Sequence, residues 1–516
     1  MSIRHDFAQV LDDARARPTR PSVAGAITHL RPLRAALRMA VLSAAMTANL
    51  VPAACDSTSK SGPPSADPVL TLQSTESTPK QYATAMEILD KSPHDAAYTQ
   101  ALRRMIHVPG YTVPVRTMAL DRLAKNDPDA LQRTIEVQLP RMDALEWRTR
   151  LCEIIAERGW TQYGPTLVRA WAEPRPGWKD KDEDRPERIA LEKLYGKEKL
   201  PDFLFQTLVE SDAVASQNLR TRCWEMLLRT GQRDKLVALL ADASIKPDDG
   251  FLNDMRAAAT ELGVFPRNRE EILWVRKLRE PSRRAFWDEA RTALAKLPSG
   301  RRGQLEVRDL ATVVAAAQHR PELLTAPDDA IYADLEARLR APGAGKVHTI
   351  DFQGWSGVYR QQLAEWRKEL AWGDLAAMTL ALDALAVPQV VAHLFDYADR
   401  DLRDTTTEFG GVIRLDAQGR FELVEFAARV RGNDERFEAP QDMLDAAYTG
   451  LFHFHLHATK VNNAQYAAPA QGDMLYADNT RANALVFTFI DRDTLNVDFY
   501  RHGGVSVDLG SVKRGT

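Results

Sequence analysis

The sequence predicts a multidomain chain in which an all-α helical array is followed by an α+β domain. Its 516 residues are enough for about three domains, or for one array and one further domain. Between about residues 79 and 400, apolar residues recur at helical spacing, and Pro and Gly mark the loops. From Leu382 onward, strand-like runs alternate with short helices, which is typical of an α+β domain.

The charge balance argues against nucleic acid as a partner. The chain has 68 Lys and Arg against 71 Asp and Glu, a net charge of -3, so no chain-wide attraction to nucleic acid or acidic lipid is expected. Three cysteines, Cys55, Cys152 and Cys223, are too few for a disulfide framework. Cys152 and Cys223 lie in apolar helical patterns and are expected in the core, although a bridge between them stays open.

The N-terminal region has the order of an export signal. A basic segment over residues 31–38 precedes an apolar run over residues 39–50. At about 12 to 16 residues this run is too short for a membrane span, so it predicts a signal peptide. The small residues directly before Cys55 resemble the lipobox of bacterial lipoproteins, with Pro52 where that pattern prefers Leu.

This resemblance implies that residues 1–54 are a leader and that Cys55 becomes the lipidated first residue of an exported protein. The lipid would anchor the chain to the cell-envelope membrane, on its periplasmic or surface face. An ordinary cleavage site and an uncleaved anchor are the alternatives. Residues 55–78 begin with a stretch rich in Ser, Gly and Pro, which predicts a flexible tether.

A pair of helices repeats within residues 79–340. Similar helix starts carry arginines spaced 32, 40 and 32 residues apart, at Arg116, Arg148, Arg188 and Arg220. A second helix is predicted after each start, over residues 129–139, 163–171, 200–209 and 233–241. This unit resembles the HEAT-like α-solenoids, whose helix pairs bury their apolar stripes by stacking. The resemblance implies a scaffold that binds a protein partner. Residues 341–345 break the helical pattern and predict a joint, so residues 341–386 are predicted to be a helical connector.

The C-terminal domain is predicted to span residues 387–516 and to begin with an amphipathic helix over 387–403. Strands are predicted over residues 409–415, 421–430, 450–457, 485–490, 495–501 and 505–509. Helices are predicted over residues 441–448 and 475–480. This order of elements is the basis of the α+β assignment.

The strand over residues 450–457 carries the strongest chemical signal in the chain. Side chains alternate between the two faces of a strand, so His453, His455 and His457 share one face. With Asp473 arriving from a later loop, these imidazoles make a nitrogen and oxygen site for a divalent metal such as zinc. A polar strand face that merely carries histidines, or a hydrogen-bonded buried cluster, is the alternative.

Three motifs in this domain together resemble the JAMM/MPN metalloprotease family. They are Glu408-Phe409-Gly410-Gly411-Val412 after a helix, His455-Leu456-His457 at a strand end, and Pro469-Ala470-Gln471-Gly472-Asp473 before a helix. The segment over residues 496–501 also resembles the last core strand of that fold. The resemblance implies that His455, His457 and Asp473 bind zinc and that Glu408 is the general base for hydrolysis of a peptide or isopeptide bond.

Three features depart from the family pattern. Ala458 replaces the usual proline, Ala470 replaces a serine that helps to stabilise the oxyanion, and 15 residues separate His457 from Asp473. His453 and His455 form an equally good His-x-His pair, so His453 stays open as an additional or alternative ligand.

Two classes of function follow from these predictions. The first is an exported zinc hydrolase that acts on a peptide or protein amide substrate in the cell envelope. The second is a non-catalytic envelope scaffold whose metal site is structural or vestigial. Sequestration of metal without hydrolysis is a third interpretation.

Overall fold

The computed structural model describes residues 67–173, 181–339 and 361–515. The predicted leader and the predicted lipidation site Cys55 lie outside these residues. The predicted tether ends earlier than residue 78, because Asp67 already caps a first helix at Pro68–Gln73. Cys152 and Cys223 are both buried thiols, so the bridge between them is not formed.

The described chain separates into two compact units, one ending at Arg150 and the other beginning at Leu151. The first unit consists of helices, and its second helix begins with a capping box in which Thr78 and Gln81 satisfy each other's backbone N–H groups. Its helices are α1 (Pro68–Gln73), α2 (Pro79–Leu89), α3 (Ala96–His107), α4 (Val113–Asn126) and α5 (Pro128–Gln138); α6 (Leu145–Glu157) crosses the division.

The second unit begins with helices and ends with a sheet. Its helices before the sheet are α7 (Gly164–Ala172), α8 (Pro186–Tyr195), α9 (Leu200–Glu210), α10 (Gln217–Arg229), α11 (Arg233–Ala241), α12 (Gly250–Ala257), α13 (Arg269–Leu278), α14 (Arg284–Leu294), α15 (Ser299–Arg302), α16 (Asp309–His319), α17 (Asp328–Leu339), α18 (Trp372–Ala384) and α19 (Pro388–Asp401). A helical array followed by a mixed α and β region is therefore confirmed, whereas the specific HEAT-like and JAMM-like assignments stay predictions.

The recurring arginines of the helical region have a structural role. The buried guanidinium groups of Arg116, Arg148 and Arg220 each donate to carbonyl groups at or just after the end of a preceding helix. The last carbonyls of a helix lack the N–H partner that continued helix would supply, and the arginines donate to carbonyls in these positions. Arg188 differs, because it pairs with acidic side chains, and Arg185 caps the preceding helix in its place.

The C-terminal sheet has six strands in the order β2-β1-β3-β4-β5-β6, and only the β3–β4 pair is parallel. The strands are β1 (Gly410–Leu415), β2 (Phe421–Phe426), β3 (Phe452–His457), β4 (Ala484–Asp491), β5 (Thr494–Arg501) and β6 (Val505–Lys513). Two helices lie between strands: α20 (Gln441–Ala447) and α21 (Gln471–Thr480).

The two faces of the sheet have different partners. On one face, aromatic residues of α19 pack against Phe454 and Phe489. On the other face, Ala477 of α21 packs with Val486 and Tyr500. The three histidines of β3 belong to this second face, since they alternate with Phe454.

A buried ionic network joins the sheet to the helices before it. Arg308 Nη2 donates to Asp374 Oδ1 at 2.8 Å, and Arg501 donates to both Asp374 carboxylate oxygens at 2.8 and 3.1 Å. His502 Nε2 also lies 2.7 Å from Glu306 Oε2. The second compact unit therefore continues across the domain boundary that the sequence predicts at residue 387.

Within the described residues, no single helix is long and apolar enough to cross a membrane. Helices α18 and α19 pass that test only when they are counted together, and they are bent by 84°.

Candidate metal centre

Glu408 lies two residues before β1, at a place where the backbone passes close to its neighbours. A Cβ atom on Gly410 would lie 2.6 Å from the Phe437 ring, and one on Gly411 would lie 2.1 Å from the Val424 carbonyl oxygen. Only glycine fits such close approaches without a shift of the surroundings. The two glycines therefore let β1 lie closely between its neighbours, with the Glu408 carboxylate next to the end of β3.

His455 and His457 direct the same ring nitrogen toward a common point. Their Nε2 atoms are 3.2 Å apart, and both rings are buried. The His457 Nδ1–H donates to the Tyr466 carbonyl at 2.9 Å, and the His455 Nδ1 lies 3.4 Å from the Tyr500 hydroxyl. Such partners fix the ring orientation, as they do for metal-binding histidines.

Asp473 reaches the same point from the first turn of α21. Its Oδ1 lies 3.3 Å from His455 Nε2, and its Oδ2 lies 3.6 Å from His457 Nε2. The helix begins at Gln471, earlier than the predicted residue 475, so that Asp473 Oδ2 also accepts the Ala470 N–H at 2.6 Å. The structure thus brings Asp473 to the histidines in spite of the long intervening loop.

Glu408 completes the group, since its Oε1 lies 4.0 Å from His457 Nε2. Glu408, His455 and His457 have ligand atoms that all lie within 4.8 Å of one another, so these three residues can hold a metal ion. The shorter distances from Asp473 to both histidines make Asp473 the better third ligand. Glu408 then stands beside the site as a fourth polar group.

The two carboxylates beside the rings favour a positive charge on His457. Burial raises the pKa of Glu408, and the two histidines only partly oppose this effect. Burial would lower the pKa of His457, but its hydrogen bond to Asp473 and the two carboxylate charges raise it to about 9. Burial would raise the pKa of Asp473, yet the two histidines lower it well below its ordinary value.

The third histidine has a different environment. The His453 Nδ1 is 2.6 Å from the Tyr476 hydroxyl, and burial lowers its pKa to about 4. Its ring therefore stays neutral and belongs to the wall beside the cluster. Sequence reasoning left His453 open as a ligand and did not identify Tyr476, whose side chain meets the strand only in the folded protein.

All of these side chains line one cavity of about 820 Å³. Its other walls include apolar residues from α20 and α21, Met443, Leu444 and Leu475. A segment between β2 and α20, residues 427–440, forms a further wall of the cavity. The sequence predicted that the strand before it continues to residue 430, whereas β2 ends at Phe426. Thr407 Oγ1 donates to the Arg436 carbonyl of this segment at 3.1 Å, directly beside Glu408.

Comparisons with protein-family models, with curated proteins and with solved structures found no match for this chain. The chemical interpretation of the site therefore depends on the geometry of its own residues.

Proposed function

We propose that this protein is a zinc-dependent hydrolase of peptide or isopeptide amide bonds. The observation that carries the proposal is the convergence of His455, His457 and Asp473 on one point, with Glu408 at its side. The resemblance of their motifs to the JAMM/MPN family points to the same reaction.

The donor atoms fit zinc. The Nδ1–H of His457 is committed to a carbonyl group, so Nε2 of the neutral ring carries a lone pair that points at the Nε2 atom of His455. Two such nitrogens at 3.2 Å repel each other unless a proton or a metal cation lies between them. Two imidazoles and one carboxylate are a common ligand set of catalytic zinc, and they leave one coordination position open.

When bound, zinc supplies two effects: it lowers the pKa of a water molecule toward ~7, and it polarises the scissile carbonyl. Glu408 has the position and the raised pKa to take a proton from the attacking water on Oε1 and return it to the leaving amine. Asp473 and the two histidines would bind the zinc ion. The Tyr466 carbonyl and the Tyr500 hydroxyl keep the two imidazole rings oriented.

The cavity favours an extended peptide with an apolar side chain next to the cleaved bond. Met443, Leu444 and Phe437 provide apolar walls, whereas Arg429 and Arg436 lie at its exposed rim. Such a lining buries an apolar group and leaves polar backbone atoms near the rim. A peptide or protein amide is therefore the proposed substrate class.

The test compares Glu408→Gln with the parent protein and with Glu435→Gln, which removes another carboxylate of the cavity wall. Zinc content is measured for all three, and hydrolysis is measured on a library of quenched fluorescent peptides and lysine-linked isopeptides. We expect full zinc content throughout and a loss of about 10² to 10⁴ in rate for Glu408→Gln alone. Equal rates in Glu408→Gln and the parent protein would remove Glu408 from the mechanism.

A non-catalytic envelope scaffold is the second candidate, and Ala470 is the observation that favours it. The side chain at this position has no hydroxyl to donate to an oxyanion, and the Ala470 N–H already donates to the Asp473 carboxylate. Zinc binding without hydrolysis of any library member would support the scaffold or a metal-sequestering role.

The proposed location is the cell-envelope membrane, through lipid on Cys55, with a protein partner on the helical array. Mass spectrometry of the mature N-terminus tests the anchor. An unmodified Cys55, or cleavage at another residue, would contradict it.

A further inference from the structure

The polar face of the sheet continues beyond the metal centre. His457 pairs with Thr488 across β3 and β4, and Thr488 pairs with Asn496 across β4 and β5. Asp498 follows Asn496 on the same face of β5 and lies opposite Asp508 of β6. The Asn496 Nδ2 donates to Asp498 Oδ2 at 2.7 Å, which places these two side chains together.

Oxygen atoms of this row are buried without hydrogen-bond partners. Thr488 is 0 % exposed, and Asn496 and Asp498 are each 1 % exposed. In the described part of the chain, Thr488 Oγ1, Asn496 Oδ1 and Asp498 Oδ1 have no hydrogen-bond partner. Buried polar atoms are nearly always paired with protein, water or an ion, so this row requires an additional partner.

The Asp498 carboxyl group also has no cationic partner. It forms no ion pair with any described residue, and its Oδ2 accepts a hydrogen bond from the neutral amide of Asn496. Burial and the charge of Asp508 raise its pKa well above the ordinary value, and the hydrogen bond from Asn496 and the charge of His457 only partly oppose this rise. Asp508 itself accepts the Gly510 N–H at 2.7 Å. Such surroundings favour the protonated carboxyl group, and the carboxylate is the stable form only when a cation lies against it.

The donor chemistry distinguishes this row from the histidine site. Thr488, Asn496 and Asp498 offer hydroxyl, amide and carboxylate oxygens, whereas the neighbouring centre offers imidazole nitrogens. Oxygen-only sets are bound by hard cations such as calcium and magnesium, and zinc prefers sites that contain nitrogen or sulfur. Calcium tolerates irregular arrangements and ligands on flexible side chains better than magnesium does.

We propose that Thr488, Asn496 and Asp498 form a second metal site, which binds calcium through oxygen atoms on the sheet face next to the candidate zinc centre. The bound ion satisfies the unpaired oxygens, compensates the Asp498 charge and joins β4 to β5 beside the strand that carries His457. This site does not depend on the proposed hydrolase activity.

The test uses the full chain, stripped of metal with a chelator and then dialysed. Calcium binding is measured by titration calorimetry and by the rise in Tm, first without zinc and then with saturating zinc. Terbium is an independent probe, because Tyr500 lies two residues from Asp498 on the same face and can sensitise its luminescence. We expect one calcium per chain, a higher Tm with calcium, and no competition by zinc.

Two variants and a control complete the design. Asp498→Asn removes the carboxylate and should weaken calcium and terbium binding at least tenfold, while Thr488→Val removes one neutral oxygen and should weaken it less. Asp493→Asn changes the same charge at an exposed turn, where the side chain is 72 % exposed, and should bind like the parent protein.

The alternative occupant of this row is water. If water alone satisfies these oxygens, the parent protein shows no calcium-dependent change in Tm, and Asp498→Asn is more stable than the parent with or without calcium. That result would overturn the proposal, and so would calcium binding that is unchanged in Asp498→Asn. Since zinc binding and hydrolysis are measured separately, neither outcome bears on the hydrolase proposal.

Discussion

The apparent zinc affinity should depend steeply on pH, because zinc and a proton compete for His457. The pKa of this ring is raised to about 9 in the metal-free protein, where Asp473 and Glu408 outweigh the effect of burial. The imidazolium must lose its proton before Nε2 can bind a metal. Between pH 7 and pH 9 the affinity should therefore rise about tenfold per pH unit, which is about 100-fold in total.

A histidine with the ordinary pKa of 6.5 gives a different curve, which flattens above that pH. The assay is competition with a chelator whose own pH dependence is known, combined with calorimetry in buffers of different ionisation enthalpy. About one proton should be released per zinc bound at pH 7.5. A constant affinity between pH 7.5 and 9, without proton release, would refute this account of His457.

The pH dependence of zinc affinity, measured for Glu408→Gln, tests the role of the Glu408 carboxylate. Removal of this carboxylate takes away one of the charges that raise the pKa of His457, so the curve should move to lower pH. Zinc binding at pH 7 should then become stronger in the variant. Weaker binding would instead identify Glu408 as a zinc ligand, contrary to its proposed role as the base.

Two further predictions concern the fold and the catalytic rate. Asp374→Ala removes the buried carboxylate that Arg308 and Arg501 share and should cost roughly 3–5 kcal/mol in the free energy of unfolding, measured with denaturant. Asp329→Ala breaks an exposed ion pair and should cost at most about 1 kcal/mol; equal losses would contradict the importance of burial. Ala470→Ser introduces the hydroxyl of the JAMM/MPN pattern and, if the proposed hydrolysis takes place, should raise kcat by about tenfold or more without a change in zinc content; an unchanged kcat would show that position 470 does not limit the rate.

Local periodicity was enough to place most elements of the C-terminal region. The alternation from Phe452 to His457 gave both the strand and the face of its histidines, because neighbouring side chains point to opposite sides of a strand. The start of α21 was missed, since it is set by the Asp473 carboxylate accepting the Ala470 N–H. This contact is invisible in a hydrophobic pattern.

Contacts between distant segments could not be predicted from the sequence. The pairing of His453 with Tyr476 depends on how α21 lies over the sheet. The Asp374 network joins residues more than 100 positions apart, and a local pattern does not show that buried ion pairs join the sheet to the helices before it. Arg188 matched the repeat spacing, yet Arg185 makes the capping contacts, because spacing does not show which side chain is buried.

The long loop between His457 and Asp473 looked from the sequence like an argument against the metal centre, but its residues support that centre. Tyr466, inside the loop, accepts the Nδ1–H of His457 and so leaves Nε2 free to bind a metal. Asn463, also inside the loop, donates to the His457 carbonyl at 3.1 Å. The extra residues thus orient a proposed ligand, and Ala470 is then the departure from the JAMM/MPN pattern that bears on the proposed hydrolysis.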